Sequence, residues 1–266
     1  MEFLLYILAG AGVGFAIGLT GVGGGSLMTP LLLLFGYPAP VAIGTDLLYA
    51  SLTKAGSAVS HHRAGSVDWR IVGLLAAGSI PVSLLLNILL VNSSFQETEE
   101  FENLLTFSLG IMLILTAIIL IFRENLRQRA IEERPRRLMQ GIHRHRQTAT
   151  WCMGLLLGAC VTLSSVGAGA FGAAILLTLY AQTSAVRIIG TDIAHAVPLT
   201  LFAGLGYLAA GYVDVMLLLS LLVGSLPATH LGSRVSNRVP DRILQRLLTF
   251  LLLSLGIYYS VLKPLL

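Results

Sequence analysis

Long apolar runs, cut by brief polar stretches, dominate the chain. Between residues 3 and 122 the charged positions are Asp46, Lys54, Arg63, Asp68, Arg70, Glu97, Glu99, Glu100 and Glu102. The runs between them predict helices over residues 3–20, 26–35, 40–60, 71–91 and 104–122. Gly21-Val22-Gly23-Gly24-Gly25 breaks the first run from the second, and Gly36-Tyr37-Pro38 ends the second. The pattern begins again after a polar stretch, over 151–165, 170–180, 186–210, 213–231 and 243–262. About 20 apolar residues cross a bilayer as a helix, and most of these runs approach that length. The expectation is an all-α integral membrane protein that crosses several times. Met1-Glu2-Phe3 has no basic region ahead of its apolar run, so no cleaved signal peptide is expected.

The order of these features contains a duplication. Gly44-Thr45-Asp46 recurs as Gly190-Thr191-Asp192, and Gly65, Val67 and Asp68 recur as Gly211, Val213 and Asp214. Gly78-Ser79-Ile80-Pro81 recurs as Gly224-Ser225-Leu226-Pro227. All three pairs share one offset of 146 residues. Val22-Gly23-Gly24-Gly25 matches Val166-Gly167-Ala168-Gly169 at an offset of 144. This divides the chain into a first repeat (1–122), a basic linker (123–148) and a second repeat (149–266).

Charge then sets the orientation. Residues 123–146 hold eight arginines and three glutamates, which marks the linker as cytoplasmic. The acidic loop at Glu97–Glu102 then lies outside, and its repeat partner, with Arg234, Arg238 and Arg242, lies inside. Equivalent loops take opposite sides. Two inverted-topology repeats are expected, each a broken helical hairpin plus three transmembrane helices, with both termini outside. Inverted repeats with broken helices are a common architecture of secondary transporters.

Composition narrows the class. Of 266 residues, 17 are Lys or Arg and 13 are Asp or Glu. That is 11% charged, against roughly 25% in a soluble domain. Hydrophobic residues reach 55%, with a mean hydropathy of +0.83. A soluble enzyme, a disordered chain and a nucleic-acid-binding domain are excluded. The net charge of +4 reports topology rather than a nucleic-acid partner. Cys152 and Cys160 have no metal or redox spacing. No His-Glu-x-x-His pattern and no clear nucleophile–base set is present, so neither an enzyme nor a cofactor is expected.

Few residues are left to carry chemistry. Asp46, Lys54 and Asp192 are far from either predicted interface, where a charge costs about 2.5–3.5 kcal/mol on insertion scales. Such groups face a cavity or a partner. Asp46 and Asp192 either couple protons, shape a site, or cap helices interrupted at Gly-Thr. Lys54 either attracts an anion or is neutralised by an aspartate of the other repeat. The glycine-rich tips, with Gly23, Gly24, Gly25 and Ser26 in one and Gly167 and Gly169 in the other, stand at the starts of short helices. Backbone N–H groups and the helix dipole favour an anion there, and close helix packing is the alternative. Thr45, Thr191, Ser164 and Ser165 add hydroxyls. His195, three residues after Asp192, either relays protons or is a satisfied core histidine. His230 reads as a core histidine. Asp68 and Asp214 read as helix N-caps, and Pro81 and Pro227 as kinks.

These motifs carry a resemblance. Gly18-Leu19-Thr20-Gly21-Val22-Gly23-Gly24-Gly25, Ile43-Gly44-Thr45-Asp46 and His61-His62-Arg63-Ala64-Gly65-Ser66-Val67-Asp68-Trp69 resemble the sulfite exporter TauE/SafE family of bacterial membrane proteins. The resemblance spans the whole chain and is weaker in the second repeat. It implies transport of a small anion, a sulfur oxyanion or organosulfonate, across the bacterial inner membrane, usually as efflux. Membrane lipids and the anion are the expected partners. A gated anion channel on the same fold is the alternative.

Overall fold

The computed structural model describes residues 2–20, 27–92, 99–132, 145–167, 169–180, 182–235 and 241–262. Ten α-helices run through them: α1 (Glu2–Thr20), α2 (Met28–Leu34), α3 (Ala39–Arg63), α4 (Trp69–Asn92), α5 (Glu99–Glu132), α6 (Arg146–Ser164), α7 (Ala170–Leu179), α8 (Ala185–Ala209), α9 (Val215–Val235) and α10 (Asp241–Ile257), which widens into a π-helical turn at Tyr258–Leu262. Five contain stretches long and apolar enough to cross a membrane: Trp69–Leu89, Glu100–Phe122, Arg146–Ser164, Ala185–Ala209 and Val215–Val235. Phe3–Leu19 and Arg246–Val261 are shorter apolar helices. This is a multi-pass membrane protein.

Helix ends follow the local chemistry. Pro38 precedes α3, where its missing N–H is no loss. Asp68 Oδ1 accepts from the N–H groups of Arg70 (3.1 Å) and Ile71 (3.4 Å), and so caps α4. Asp214 Oδ1 accepts from Leu217 N–H (2.9 Å) at the start of α9. Both capping assignments made from sequence therefore hold. One boundary moves. The apolar run predicted over 104–122 lies within α5, which continues ten residues into the basic linker. Those residues are charged yet good helix formers, so hydropathy stops before the helix does.

Apolar side chains cover both the inside and the outside. Leu84, Leu85, Ile88 and Leu89 on α4, and Met216, Leu219, Val223 and Leu226 on α9, are exposed, as suits contact with lipid. Helix α3 differs. Over 25 residues, about 37 Å of helix, it carries Asp46 and Lys54, and 13 of its residues are buried. Its N-terminal half is packed among neighbouring helices, chiefly α8.

The packing of helices repeats in register. Gly10 and Gly14 of α1 press on the backbone of Leu221 and Ser225 of α9, and Gly224 presses on Ile7. Gly154 and Gly158 of α6 press on Leu75 and Ser79 of α4, and Gly78 presses on Trp151. The second set is the first displaced by the sequence offsets. Small residues let these backbones meet, as membrane helices require in the absence of a hydrophobic drive. In both pairs the helices run parallel. Helices α3 and α8 run antiparallel, with Gly44 beside Tyr207, Leu48 beside Gly204 and His61 beside Gly190. Helices α5 and α10 also meet antiparallel, at Gly110 and Gly256.

Candidate functional site

The deep charges lie on continuous helices. Asp46 is in the second turn of α3 and Asp192 in the second turn of α8. This corrects the capping alternative as first framed, since neither helix is interrupted at Gly-Thr and neither aspartate caps its own helix. Each instead reaches a neighbour. Asp46 Oδ2 accepts from Thr29 N–H (3.2 Å) and from the Thr29 hydroxyl (2.5 Å) at the start of α2. The Asp192 carboxylate interacts with the backbone N–H of Gly169, which precedes α7. It lies against the first turn of α7, where a Cβ on Gly172 would strike its Oδ1. Each aspartate thus serves the short helix of its own hairpin. Of the donors expected to be open to an anion, Gly169 is engaged by a carboxylate.

The tip of the second hairpin is held by backbone that only glycine adopts easily. Gly167 and Gly169 have φ of 127° and 126°, a region that L side chains rarely enter. The corresponding Gly23, Gly24, Gly25 and Ser26 lie outside the described residues.

Lys54, 6% exposed on α3, stands within electrostatic reach of both Asp192 and Asp46. The structure therefore draws the three deep charges of the sequence into one buried cluster. His195 belongs to it as well. Its Nε2 is 2.8 Å from Ser79 Oγ, while its Nδ1 has no partner. The ring is buried, with one nitrogen satisfied and the other not. The matching pair in the other half is Tyr49, whose hydroxyl donates to Ser225 Oγ at 2.6 Å. The offset of 146 carries Tyr49 to His195 and Ser79 to Ser225, so this pairing could have been found by extending the repeat.

Thr45 and Thr191 take another role. Thr191 Oγ1 accepts from Asp68 N–H at 2.9 Å, and Thr45 Oγ1 accepts from Asp214 N–H at 3.4 Å. Each threonine is buried and ties its helix to the capped start of a helix from the opposite half. Arg187 reaches the surface, 48% exposed, and pairs with Asp68 at 3.6 Å. His230 is exposed rather than part of the core, because it lies on the outward face of α9.

Four buried atoms of the cluster have no hydrogen-bond partner: Asp46 Oδ1, Asp192 Oδ1, His195 Nδ1 and Ser165 Oγ. Buried polar groups are ordinarily satisfied. Together with Lys54, these atoms provide acceptors, a hydroxyl and a cation, which suits binding a small polar solute or handling a proton. Among the described residues, no group of three or more His, Cys, Asp or Glu side chains has metal-binding geometry.

A multi-pass helical bundle with a buried polar cluster at helix starts fits a membrane transporter. The chain belongs to the TauE/SafE sulfite exporter family, whose model matches residues 6–259. It is 39% identical over 231 residues to the probable membrane transporter protein YjnA of Bacillus subtilis, covering 86% of this chain and 89% of that one. A second B. subtilis protein, the probable membrane transporter protein YdhB, is 28% identical over 235 residues, covering 87% of this chain and 89% of its own. The probable membrane transporter protein MJ0441 of Methanocaldococcus jannaschii is 32% identical over 89 residues, 34% of this chain and 33% of its own. No solved structure matches the chain.

Proposed function

We propose that the protein is a secondary transporter that moves a small anion by alternating access between two inverted repeats. The substrate class, taken from the family, is sulfite, another sulfur oxyanion or an organosulfonate. The direction is efflux across the bacterial inner membrane, with protons as the coupling ion. The observation that carries this reading is the buried cluster of Asp46, Lys54, Asp192 and His195, set where the short helices of both hairpins begin.

The inverted repeat is supported by the paired contacts. Equivalent helices α3 and α8 are antiparallel, and so are α5 and α10. A two-fold axis across the helices relates such pairs. The same axis exchanges α1 with α6 and α4 with α9, and so carries one packed pair onto the other. Such a bundle can rock one repeat against the other around a fixed centre.

Lys54 supplies the positive charge for the anion. Its repeat partner is Thr200, so the charge is single. With no anion bound, Lys54 offsets one of the two carboxylates, Asp46 and Asp192, and both engage donors at the hairpins. A protonated carboxyl releases its claim on a backbone N–H and opens that donor to the anion. His195, one turn from Asp192, is placed to receive or deliver the proton. Exchange of a carboxylate for a substrate anion at one set of donors links proton and substrate.

Sulfite flux into proteoliposomes, measured with and without a pH gradient, tests the reading. The expected result is flux that responds to the gradient and falls at least tenfold in Lys54→Ala. Flux that follows the sulfite gradient alone would instead assign a gated anion channel. Wild-type flux in Lys54→Ala would remove Lys54 from the site.

A further inference from the structure

Ser165 is the residue where α6 ends and the hairpin tip begins. Its φ is +57°, and among the described residues it is the one non-glycine with positive φ. The left-handed region disfavours any residue with a Cβ. At the matching position of the first half, 144 residues earlier, the sequence has Gly21. The second half therefore keeps a side chain at a place where glycine would hold the backbone more easily.

That side chain has no local work. Its neighbour Ser164 closes the helix end, donating to Cys160 O at 2.7 Å and accepting from Val166 N–H at 3.2 Å. The Ser165 hydroxyl is 3% exposed and unpartnered. It lies within interaction range of the Asp46 carboxylate across the boundary between the halves. Thr29 occupies one oxygen of that carboxylate, and the other, Oδ1, is unpartnered. A strained backbone thus delivers one buried hydroxyl beside the Asp46 carboxylate.

We propose that the Ser165 hydroxyl is a specificity-determining donor to the transported anion and turns to Asp46 Oδ1 when the anion leaves. This inference rests on the anion-transport reading above. A sulfur oxyanion presents only acceptor oxygens, so it needs donors, and a hydroxyl has one proton to give. The same proton serves either the anion or Asp46. Glycine at this position would keep the turn and lose the donor.

The test compares the purified full chain with Ser165→Gly. Each is titrated calorimetrically with sulfite, thiosulfate and 2-aminoethanesulfonate, and each is melted in the same detergent. The expected result is a melting temperature at or above wild type, with the preferred anion bound about tenfold more weakly, as loss of one buried hydrogen bond implies. Wild-type affinity in Ser165→Gly overturns the proposal and leaves the transport reading standing. Weaker binding together with a lower melting temperature assigns Ser165 a structural role and also overturns it. If wild type binds none of the three anions, the anion reading fails and this inference falls with it.

Discussion

Gly158 seats α6 on α4 so closely that alanine does not fit. A Cβ there would stand 2.8 Å from Ser79 Cα and 3.0 Å from its carbonyl carbon, with the carbonyl oxygen nearer still. These are backbone atoms, which cannot swing aside as a flexible side chain would. Helix α6 must back away from α4, and overpacking of this kind costs about 1–3 kcal/mol. Alanine also returns up to about 1 kcal/mol of helix propensity. Gly73, on α4 itself, measures that second contribution alone, because nothing lies within 4 Å of its ideal Cβ. The difference between Gly158→Ala and Gly73→Ala therefore isolates the packing cost. At about 2–4 °C per kcal/mol, Gly158→Ala should melt roughly 2–12 °C below Gly73→Ala. The assay is thermal unfolding of both proteins in one detergent. Gly14→Ala should behave like Gly158→Ala, since Gly14 stands 2.6 Å from Ser225 Cα by the same measure. Equal melting of Gly158→Ala and Gly73→Ala would refute the close approach of α4 and α6.

Other expectations bear on the site. Thr29→Val keeps the shape but removes the hydroxyl that donates to Asp46, so stability should fall by about 1.5–3 kcal/mol, the worth of a hydrogen bond to a charged group; chemical unfolding measures it. Thr191→Val leaves the Asp68 N–H without its acceptor and should cost about 1–3 kcal/mol, while unchanged stability would discount that link between halves. Arg187→Ala removes an exposed ion pair and should change stability by less than about 1 kcal/mol, as a denaturant titration would record. In a Cys152→Ser, Cys160→Ser background, Ala210→Cys should react with an impermeant thiol reagent from outside the cell and Ala64→Cys should not; the reverse would overturn the inverted arrangement.

Much of the helical plan was legible from hydropathy, because long apolar runs had to become helices in lipid. Helices α7, α8 and α9 fall close to the predicted runs. The deep charges were legible for the same reason, since three charged residues far from any loop stand out against so apolar a background. Their partners were not. Thr29 and Ser79 are ordinary hydroxyl residues in local sequence, and only the approach of separate helices makes them partners. The partners of the aspartates escaped because a cap is ordinarily sought a few residues away. Asp46 finds its N–H 17 positions back, at Thr29. The hydroxyl pair of Tyr49 and Ser225 and its counterpart at His195 and Ser79 did leave a signal, in the offset of the repeat.

The pairing of α1 with α9, and of α6 with α4, has a consequence for how the molecule is made. Gly10 leaves the ribosome well before Leu221, the residue it must touch. At roughly 5–20 residues per second, that wait is on the order of 10–40 seconds. During it, α1 has no partner for its glycine face except lipid or the insertion machinery. A first half released alone would expose that face permanently, and a second half alone would expose Gly224 and Gly232 on α9 in the same way. Biogenesis must therefore hold the opening helix in reserve until nearly the whole chain has been synthesised.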